Sequence, residues 1–543
     1  MDNAEDFYRR RDLLLKGAAL IGTGLLSKNL FTQDSERKNK TDQPSSVIDV
    51  KSFGATGIQS QNATPAFRAA IQAAHQRGGA VVNVSPGHYT IGTIQLLDNI
   101  SLNIEAGATL FLSQQKDDFI KDTYTMIFAE NARNISVTGK GVINGLAQYD
   151  YLEMKGLDTD IAKEIENAKA AGVDMRRYYR KPQAMNTFLF VINDCENFSL
   201  NGITLLNSPL WNVRINDCRH VFIHEVTIYS DPERGVNSDG IDICSSSYVT
   251  ISNSIIETAD DSIVLKTISR NGKKANPCEN IIVSNCILSS SSTALMIGTE
   301  TEADIRHVHF SNCVIRNSNK GFGINVQDGA TVSDIMFSNL TIDTNRRHWN
   351  WWGSAEMCKF ILFQRKPSSP LGVIKNITVH HIVAHVRGTS TITGDKSQSL
   401  ENIVFSDVQI FMLEDNAKDK RVSHAIAIEN VKELELSGVK IKWMTDIEKN
   451  WKSAIQLKNV DDFTIDNFSG RQGILASSNP AIYFEKVTDG NIRNCKAPEG
   501  TGTFLYFKGN EVRDVRLYNN NVKKATTGIL CEQKETWKEL DVK

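Results

Sequence analysis

Residues 280–288 read Asn-Ile-Ile-Val-Ser-Asn-Cys-Ile-Leu, and residues 307–315 read His-Val-His-Phe-Ser-Asn-Cys-Val-Ile. In both segments apolar residues alternate with other residues, and the alternation shifts after the central Ser-Asn. A period of two is typical of a β-strand, and the shift indicates a bend between two short strands. The pattern therefore predicts a recurring unit of strand, bend and strand.

The same unit recurs along most of the chain. When the copies are aligned on one reference position, the residues one, three, six and eight positions later are apolar or small. The reference residues are Asn197, His220, Tyr248, Asn280, His307, Asp334, Asn376 and Asn402. Copies roughly 23 to 42 residues apart are typical of a solenoid. Asn, Ser and Gly lie between the strands instead of helix formers, which favours an all-β fold, a single-stranded right-handed parallel β-helix.

The nine cysteines fit this repeat better than a disulfide framework. Cys286 and Cys313 share one inward repeat position, and Cys195, Cys218 and Cys278 share another. Small apolar side chains stacked along a core explain this placement. We expect few or no disulfides.

Composition and spacing exclude some partners. Lys and Arg number 61 against 63 Asp and Glu, so the chain lacks the basic excess typical of nucleic-acid binding. The histidines show no helical metal-ligand spacing with nearby acids. We therefore predict no nucleic-acid partner, no metal and no cofactor.

The N-terminus resembles an export signal. Arg9-Arg10-Arg11-Asp12-Leu13-Leu14-Leu15-Lys16 leads into an apolar run that ends near Leu26. Basic residues before a moderately apolar segment are typical of secretory signals, and the arginine pair resembles a twin-arginine signal. The run is too short to span a bilayer comfortably. We predict a signal at 1–30, a polar linker at 31–46, and a periplasmic or extracellular protein without a stable membrane span.

One β-helix domain is predicted over 47–543, with a helical cap at its start. Thr64 is the predicted N-cap, Pro65 follows at the first helical position, and Gly78-Gly79 ends the helix. Insertions are predicted at about 146–184 and 345–369. Long insertions in solenoids often line a binding cleft.

Three carboxylates stand before two successive strands. Asp239 precedes Ile-Asp-Ile-Cys at 241–244, and Asp260-Asp261 precede the apolar run from Ile263. Strands stacked in register lie roughly 4.8 Å apart, which would gather these side chains into one acidic patch. Paired carboxylates at short range are what glycoside hydrolysis needs. Aspartate beside Ser and Gly can also simply mark turns.

The motifs resemble those of glycoside hydrolase family 28, the polygalacturonases and rhamnogalacturonan-degrading relatives. The stretches that carry the resemblance are Asn237-Ser238-Asp239-Gly240, Asp260-Asp261, Asn207-Ser208-Pro209-Leu210-Trp211 and Gly139-Lys140-Gly141-Val142-Ile143-Asn144-Gly145. The segment before residue 90 resembles the N-terminal cap of pectate-lyase-like β-helix proteins. The likeness covers roughly residues 48–410.

The resemblance implies an exported glycosidase that cleaves a pectin-like polysaccharide or its oligosaccharides. Asp260 would be the general acid, while Asp239 and Asp261 would hold and deprotonate the attacking water. It also implies inversion with widely spaced carboxylates. Asn237 and Trp211 would contact the sugar.

The chain departs from the family at positions that bear on substrate. Ser291-Ser292-Thr293 aligns with the family's Gly-His-Gly, and Gly323-Ile324-Asn325 aligns with its Arg-Ile-Lys. Without these two cations a galacturonate carboxylate would lose charge-assisted hydrogen bonds. We therefore expect a neutral sugar beside the aspartates, contacted by Ser292 and Asn325, and a poor rate on plain polygalacturonate.

Further candidates for substrate binding are Lys266, Trp351 and Trp352. Lys266 ends the strand that follows the Asp pair and could bind a sugar oxygen, although pairing with an aspartate explains it better. The tryptophans suit sugar stacking, and packing of the insertion explains them nearly as well. Two other activities stay open: a polysaccharide lyase on the same fold, for which Lys266 would be the base, and a non-catalytic carbohydrate-binding β-helix.

Overall fold

The computed structural model describes residues 47–543 apart from 122, 150–151, 154–165, 167–168, 171, 173–178, 181–186, 233, 236, 348–352, 418–419, 447 and 476. The described residues fall in one compact unit, Ser46–Lys543. The predicted signal and linker, most of the insertion at 146–184, and Trp351 and Trp352 lie outside the described residues.

The strands stack into three parallel sheets that run along the molecule, and each turn of the chain adds one rung. The first sheet contains Ile94–Gln95, Thr125–Glu130, Phe188–Asn193, Val213–Asn216, Ile241–Cys244, Ile263–Thr267, Thr293–Thr301, Lys320–Val326, Glu356–Leu362, Ser390–Thr393 and Thr527–Cys531. The second contains Val47–Asp49, Ala80–Val84, Ile100–Ile104, Arg133–Gly139, Glu196–Asn201, Arg219–His224, Ser247–Ser252, Cys278–Ser284, Ile305–Ser311 and Leu540–Val542.

The third sheet contains Gly87–Ile91, Ala108–Leu112, Val142–Asn144, Thr204–Leu206, Thr227–Tyr229, Ile255–Thr258, Ile287–Ser290, Val314–Ser318 and Lys440–Trp443. Longer strands bend from one sheet into the next: Thr331–Thr344, Val373–Val386, Leu400–Met412, Ile426–Ser437, Ile455–Asp466, Pro480–Arg493 and Thr503–Tyr518. One antiparallel pair, Leu152–Glu153 with Tyr179–Arg180, stands apart from them. The prediction of an all-β right-handed parallel β-helix is confirmed.

The bends lie at left-handed residues. All eight reference residues of the repeat have a φ between 51° and 59°, and Asn285 and Asn312 at the predicted shift have φ of 57° and 55°. Asparagine tolerates this region better than other residues with a side chain. The side chains also stack, since Asn402 Nδ2 donates to Asn376 Oδ1 at 3.0 Å. Half of the eight reference residues are asparagine, the residue type best suited to this conformation.

Apolar side chains from the three sheets fill one continuous core. Aromatic rings stack along it, as between Phe310 and Phe337 with centroids 5.0 Å apart. All nine cysteines are free, and eight are buried. This confirms their interpretation as stacked core residues.

A helix, Thr64–Gln76, covers the first rungs through Phe67, Ala70, Ile71 and Ala74. The prediction of Thr64 as its N-cap is wrong. The N-cap residue is Ala63, which has no capping side chain. The Asn62 Oδ1 accepts from the Thr64 N–H at 2.9 Å, and the Thr64 hydroxyl accepts from the Gly92 N–H. Gly78 and Gly79, with φ of 84° and 129°, end the helix as predicted.

Single turns of 3₁₀ helix occupy Val50–Phe53, Lys116–Asp118, Ala147–Tyr149 and Glu535–Glu539. Within the described part of the chain, no helix is both long and apolar enough to cross a bilayer.

Candidate active site

The three aspartates come together because their loops enter adjacent rungs of the first sheet. Asp239 precedes Ile241–Cys244, Asp260 and Asp261 precede Ile263–Thr267, and Ile241 pairs with Ile263. The Gly240 N–H donates to the Asp261 carbonyl at 2.9 Å, which fixes one loop on the other. The predicted acidic patch is confirmed.

One carboxylate oxygen from each of Asp239, Asp260 and Asp261 lies within 4.8 Å of the other two. All three side chains line a cavity of about 380 Å³. The expected wide carboxylate spacing is wrong, because the residues stand on adjacent rungs and neighbouring strands are only roughly 4.8 Å apart. Three such oxygens could also surround one cation, but an acidic cluster alone does not indicate a metal, and we assign none.

Hydrogen bonds fix Asp261 more firmly than its neighbours. Its Oδ1 accepts from the Ser292 hydroxyl at 2.8 Å and from the Thr293 N–H at 3.0 Å. The Asp261 N–H in turn donates to Asp260 Oδ1 at 3.0 Å. Hydrogen bonds to a carboxylate favour its ionised form. The Asp261 carboxylate is therefore held in a fixed orientation.

Asp239 lies in surroundings that disfavour its charged form. Its side chain is 3% exposed, and its Oδ1 makes no hydrogen bond with the described residues. Burial, together with the charges of Asp260 and Asp242, raises the pKa of Asp239 well above its usual range. The raised pKa is thus found at Asp239, whereas the resemblance implies Asp260 as the proton donor.

Lys266 forms a buried ion cluster beside the aspartates. Its Nζ lies 3.2 Å from Glu300 Oε2, 3.5 Å from Asp242 Oδ1 and 4.2 Å from the centroid of the Trp211 ring. Burial raises the pKa of Asp242 to about 8 in spite of Lys266. Burial also works against the ionised form of Glu300, yet Lys266 holds the pKa of Glu300 below its usual value. Lys266 thus pairs with Asp242 and Glu300, not with the three grouped aspartates.

A family profile described as "Glycosyl hydrolases family 28" matches residues 76–412. The chain belongs to glycoside hydrolase family 28. An endo-polygalacturonase of Pectobacterium carotovorum subsp. carotovorum is 27% identical over 269 residues, which cover 47% of this chain and 62% of that protein. The chain thus spans less than two thirds of this relative's length.

Two solved structures share the fold. An exopolygalacturonase from Thermotoga maritima has a TM-score of 0.56 and 20% identity, covering 78% of this chain and 92% of its own. The family 28 exopolygalacturonase of Yersinia enterocolitica has a TM-score of 0.59 and 18% identity, covering 78% of each chain. At these identities the likeness establishes the fold.

Most of the predicted sugar contacts line the cavity of this family 28 chain. They are Asn237, Trp211, Lys266, Ser292 and Asn325. Ser292, which stands where the family has histidine, is engaged with Asp261. Asn325 lines the cavity, and its Oδ1 is buried without a hydrogen-bond partner among the described residues.

Two lysines of the cavity were not predicted from the sequence. Lys320 begins the strand Lys320–Val326, and Lys359 lies in the next rung, paired with Gly323. Lys320 lies two and four residues before the inward-facing Phe322 and Ile324. The alternation of the strand therefore predicts an inward side chain at Lys320, not one that lines the cavity. Lys359 follows the insertion, whose length masked its register. The cavity therefore has cations at positions other than those of the family's Arg-Ile-Lys.

Arg365 does not take the place of the missing cations. Its guanidinium donates to Asp328 Oδ1 at 2.6 Å and to the Thr299 carbonyl at 2.9 Å. These hydrogen bonds hold the Arg365 guanidinium against Asp328 and Thr299.

Proposed function

We propose that this family 28 protein hydrolyses glycosidic bonds in a pectin-like polysaccharide or its oligosaccharides. Asp260 donates a proton to the glycosidic oxygen as the bond from that oxygen to the anomeric carbon breaks. A water held by Asp239 and Asp261 attacks the anomeric carbon from the opposite face and gives up its proton to one of them. Proton exchange with solvent then restores Asp260.

The convergence of three carboxylates in one cavity carries this proposal. Their nearest oxygens lie within 4.8 Å of one another, and a general acid and a base must both reach the same bond. Two hydrogen bonds orient the Asp261 carboxylate, which suits it to hold the water. The Pectobacterium relative is an endo-polygalacturonase, which supports the pectic class of substrate.

The stereochemical outcome needs its own test, because the spacing and the family resemblance point in different directions. Carboxylates about 5–5.5 Å apart are typical of retaining enzymes, and about 6.5–9.5 Å of inverting ones. We propose inversion, since the third carboxylate allows one water to be held between two aspartates in a short gap. Proton NMR of the first product formed should show the inverted anomer. Appearance of the retained anomer would make one aspartate a nucleophile and contradict the water mechanism.

A neutral sugar beside the aspartates, within a pectic polymer, is the substrate we propose. The positions of the two family cations are held by Gly323 and Asn325, and the free Asn325 Oδ1 suits a sugar hydroxyl. Lys266 is already paired with Glu300, whose Oε2 lies 3.2 Å from its Nζ. Specificity constants should then favour rhamnogalacturonan fragments over oligogalacturonates.

Plain polygalacturonate is a second candidate, and Lys359 is the observation that favours it. This lysine lines the cavity beside Gly323, and no acidic partner is found for it in the described part of the chain. An ammonium in that place could bind a uronate carboxylate. Faster cleavage of oligogalacturonates, with a KM that rises in Lys359→Met, would establish this second candidate and refute the first.

Release of an unsaturated product, seen by its ultraviolet absorbance, would instead indicate a lyase. Binding of oligosaccharides without turnover, unaffected by Asp260→Asn, would indicate a non-catalytic binding protein.

We propose in addition that the protein is exported through its twin-arginine-like segment. The support is the run of basic residues Arg9 to Arg11 before an apolar stretch. Replacing all three arginines by lysine should leave the protein in the cytoplasmic fraction, while the unchanged protein leaves it. Equal distribution of both forms would contradict this.

A further inference from the structure

Lys320 is a buried lysine directly linked to the hydrogen bonds of Asp261. The residue is 3% exposed, and its Nζ donates to Thr293 Oγ1 at 3.2 Å. The N–H of the same Thr293 donates to Asp261 Oδ1 at 3.0 Å. A single residue therefore separates the ammonium group from the carboxylate.

The rungs explain why the lysine lies there. Lys320 pairs in register with Thr293 on one side and Glu356 on the other. The aliphatic stem runs past Gly323, where a Cβ would lie 3.5 Å from Lys320 Cδ, an ordinary van der Waals contact. The side chain therefore passes over a backbone without a side chain and reaches the cavity that holds the aspartates.

Burial of a lysine is costly unless its charge has a compensating partner. The pKa of Lys320 is lowered, chiefly by burial, although the charges of Glu356, Asp261 and Asp260 act in the opposite direction. Lys359 is the neighbouring cation that opposes the charged form. Asp239, Lys266 and Glu300 complete the charged groups of the cavity.

We propose that Lys320 is a positioning residue that keeps Asp261 ionised and aimed at the attacking water, and that it acts through Thr293. The inference rests on the hydrolysis proposed above. It assigns to this chain a cation that serves the reaction and that does not bind the substrate's acid group.

The test compares Lys320→Met with Lys320→Arg across pH. Loss of the cation makes Asp261 harder to ionise, so the acidic limb of kcat/KM should move to higher pH in Lys320→Met. At neutral pH kcat should fall on the order of 10²-fold, the cost of losing one oriented donor. Lys320→Arg keeps the charge and should return the limb toward its original position.

Lys359→Met is the matched control. It removes a second lysine of the same cavity, one rung further along and without a bond to Thr293. It should leave the acidic limb of kcat/KM in place, whatever its effect on KM. An acidic limb that is unmoved in Lys320→Met, or moved equally in Lys359→Met, would overturn the proposal.

Two measurements keep the outcome clear if a variant fails. If Lys320→Met does not fold, Thr293→Val removes the hydroxyl that anchors the ammonium, and an unshifted limb there would overturn the proposal. A readout without activity is the difference in Tm between the wild type and Lys320→Met. This difference in Tm should become smaller in acid as Asp261 protonates. A difference in Tm that does not change with pH would overturn the proposal, even if the protein cleaves no glycan.

Discussion

Asp260 and Asp239 differ in burial, and this difference bears on which of them donates the proton. Asp239 is buried with a raised pKa, while Asp260 is half-buried and bonded to the Asp261 N–H. The more open Asp260 can meet a glycosidic oxygen that enters from the cavity. Asp239, deeper in the site, can receive a proton once bound substrate and water change its surroundings.

Substitution of each aspartate separates these roles. Asp260→Asn should lose on the order of 10²- to 10⁴-fold in kcat on polysaccharide, because an amide cannot deliver the proton. It should lose far less on a dinitrophenyl glycoside of the same sugar, whose leaving group needs no proton. Asp239→Asn and Asp261→Asn should be impaired on both substrates. The reverse pattern, with the aryl glycoside sparing Asp239→Asn, would make Asp239 the donor.

Asp242 should make stability depend on pH. Its pKa is raised to about 8 in the folded protein, where Lys266, Arg214, Asp261 and Asp260 surround it, against 3.8 ordinarily. The folded state therefore binds a proton that the unfolded state has lost between these values, and this part of the stability falls as pH rises. One such proton contributes up to about 1.4 kcal/mol per pH unit.

Asp242→Asn removes this titration and provides the measurement. Urea unfolding of both proteins from pH 5 to pH 8 should show the wild type losing stability relative to the variant as pH rises. Parallel curves for the two proteins would show that Asp242 stays ionised through its pairing with Lys266.

At the scale of the element, the loop between Asp239 and its strand depends on close contact between rungs. A Cβ on Gly240 would lie 2.3 Å from the Ser262 carbonyl oxygen and 2.7 Å from Ile256 Cγ2. Backbone and core leave no room for it, so the loop must shift. Such a shift would also move Asp239 relative to Asp261, because Gly240 bonds to the Asp261 carbonyl.

Gly240→Ala should therefore lower both stability and activity. Overpacking of this kind typically costs about 1–3 kcal/mol, and differential scanning calorimetry should show the lower Tm. Gly502→Ala is the control, since a Cβ there meets its nearest neighbour at an ordinary 3.5 Å. If the two substitutions changed Tm and activity equally, the Gly240 loop would be able to shift without strain.

At the scale of the whole molecule, the continuous core and not covalent cross-links should hold the rungs together. All nine cysteines are free, so a reducing agent should leave the Tm of the folded protein unchanged. A native disulfide would typically contribute about 2–5 kcal/mol, a loss readily seen in a thermal scan. A clear fall in Tm on reduction would contradict the interpretation of the cysteines as core residues.

The residue sequence by itself determined the repeat, the strand faces, the positions of the bends and the convergence of Asp239, Asp260 and Asp261. Each of these follows from a local period or from adjacent rungs, and local alternation is written in consecutive residues. The resemblance to family 28 also predicted Trp211, Asn237, Ser292 and Asn325 near the aspartates, and all four line the cavity.

Only the tertiary structure decided the cations and the protonation of the site. Lys320 reaches the cavity from a strand start where alternation breaks down, and Lys359 arrives from the rung after an insertion of unpredictable register. The raised pKa of Asp239 depends on its burial and on charges from other loops. The distances, the burial and the electrostatic potential at the site arise from the stacking of rungs. They depend on residues far apart in the chain, so no local sequence pattern contains them.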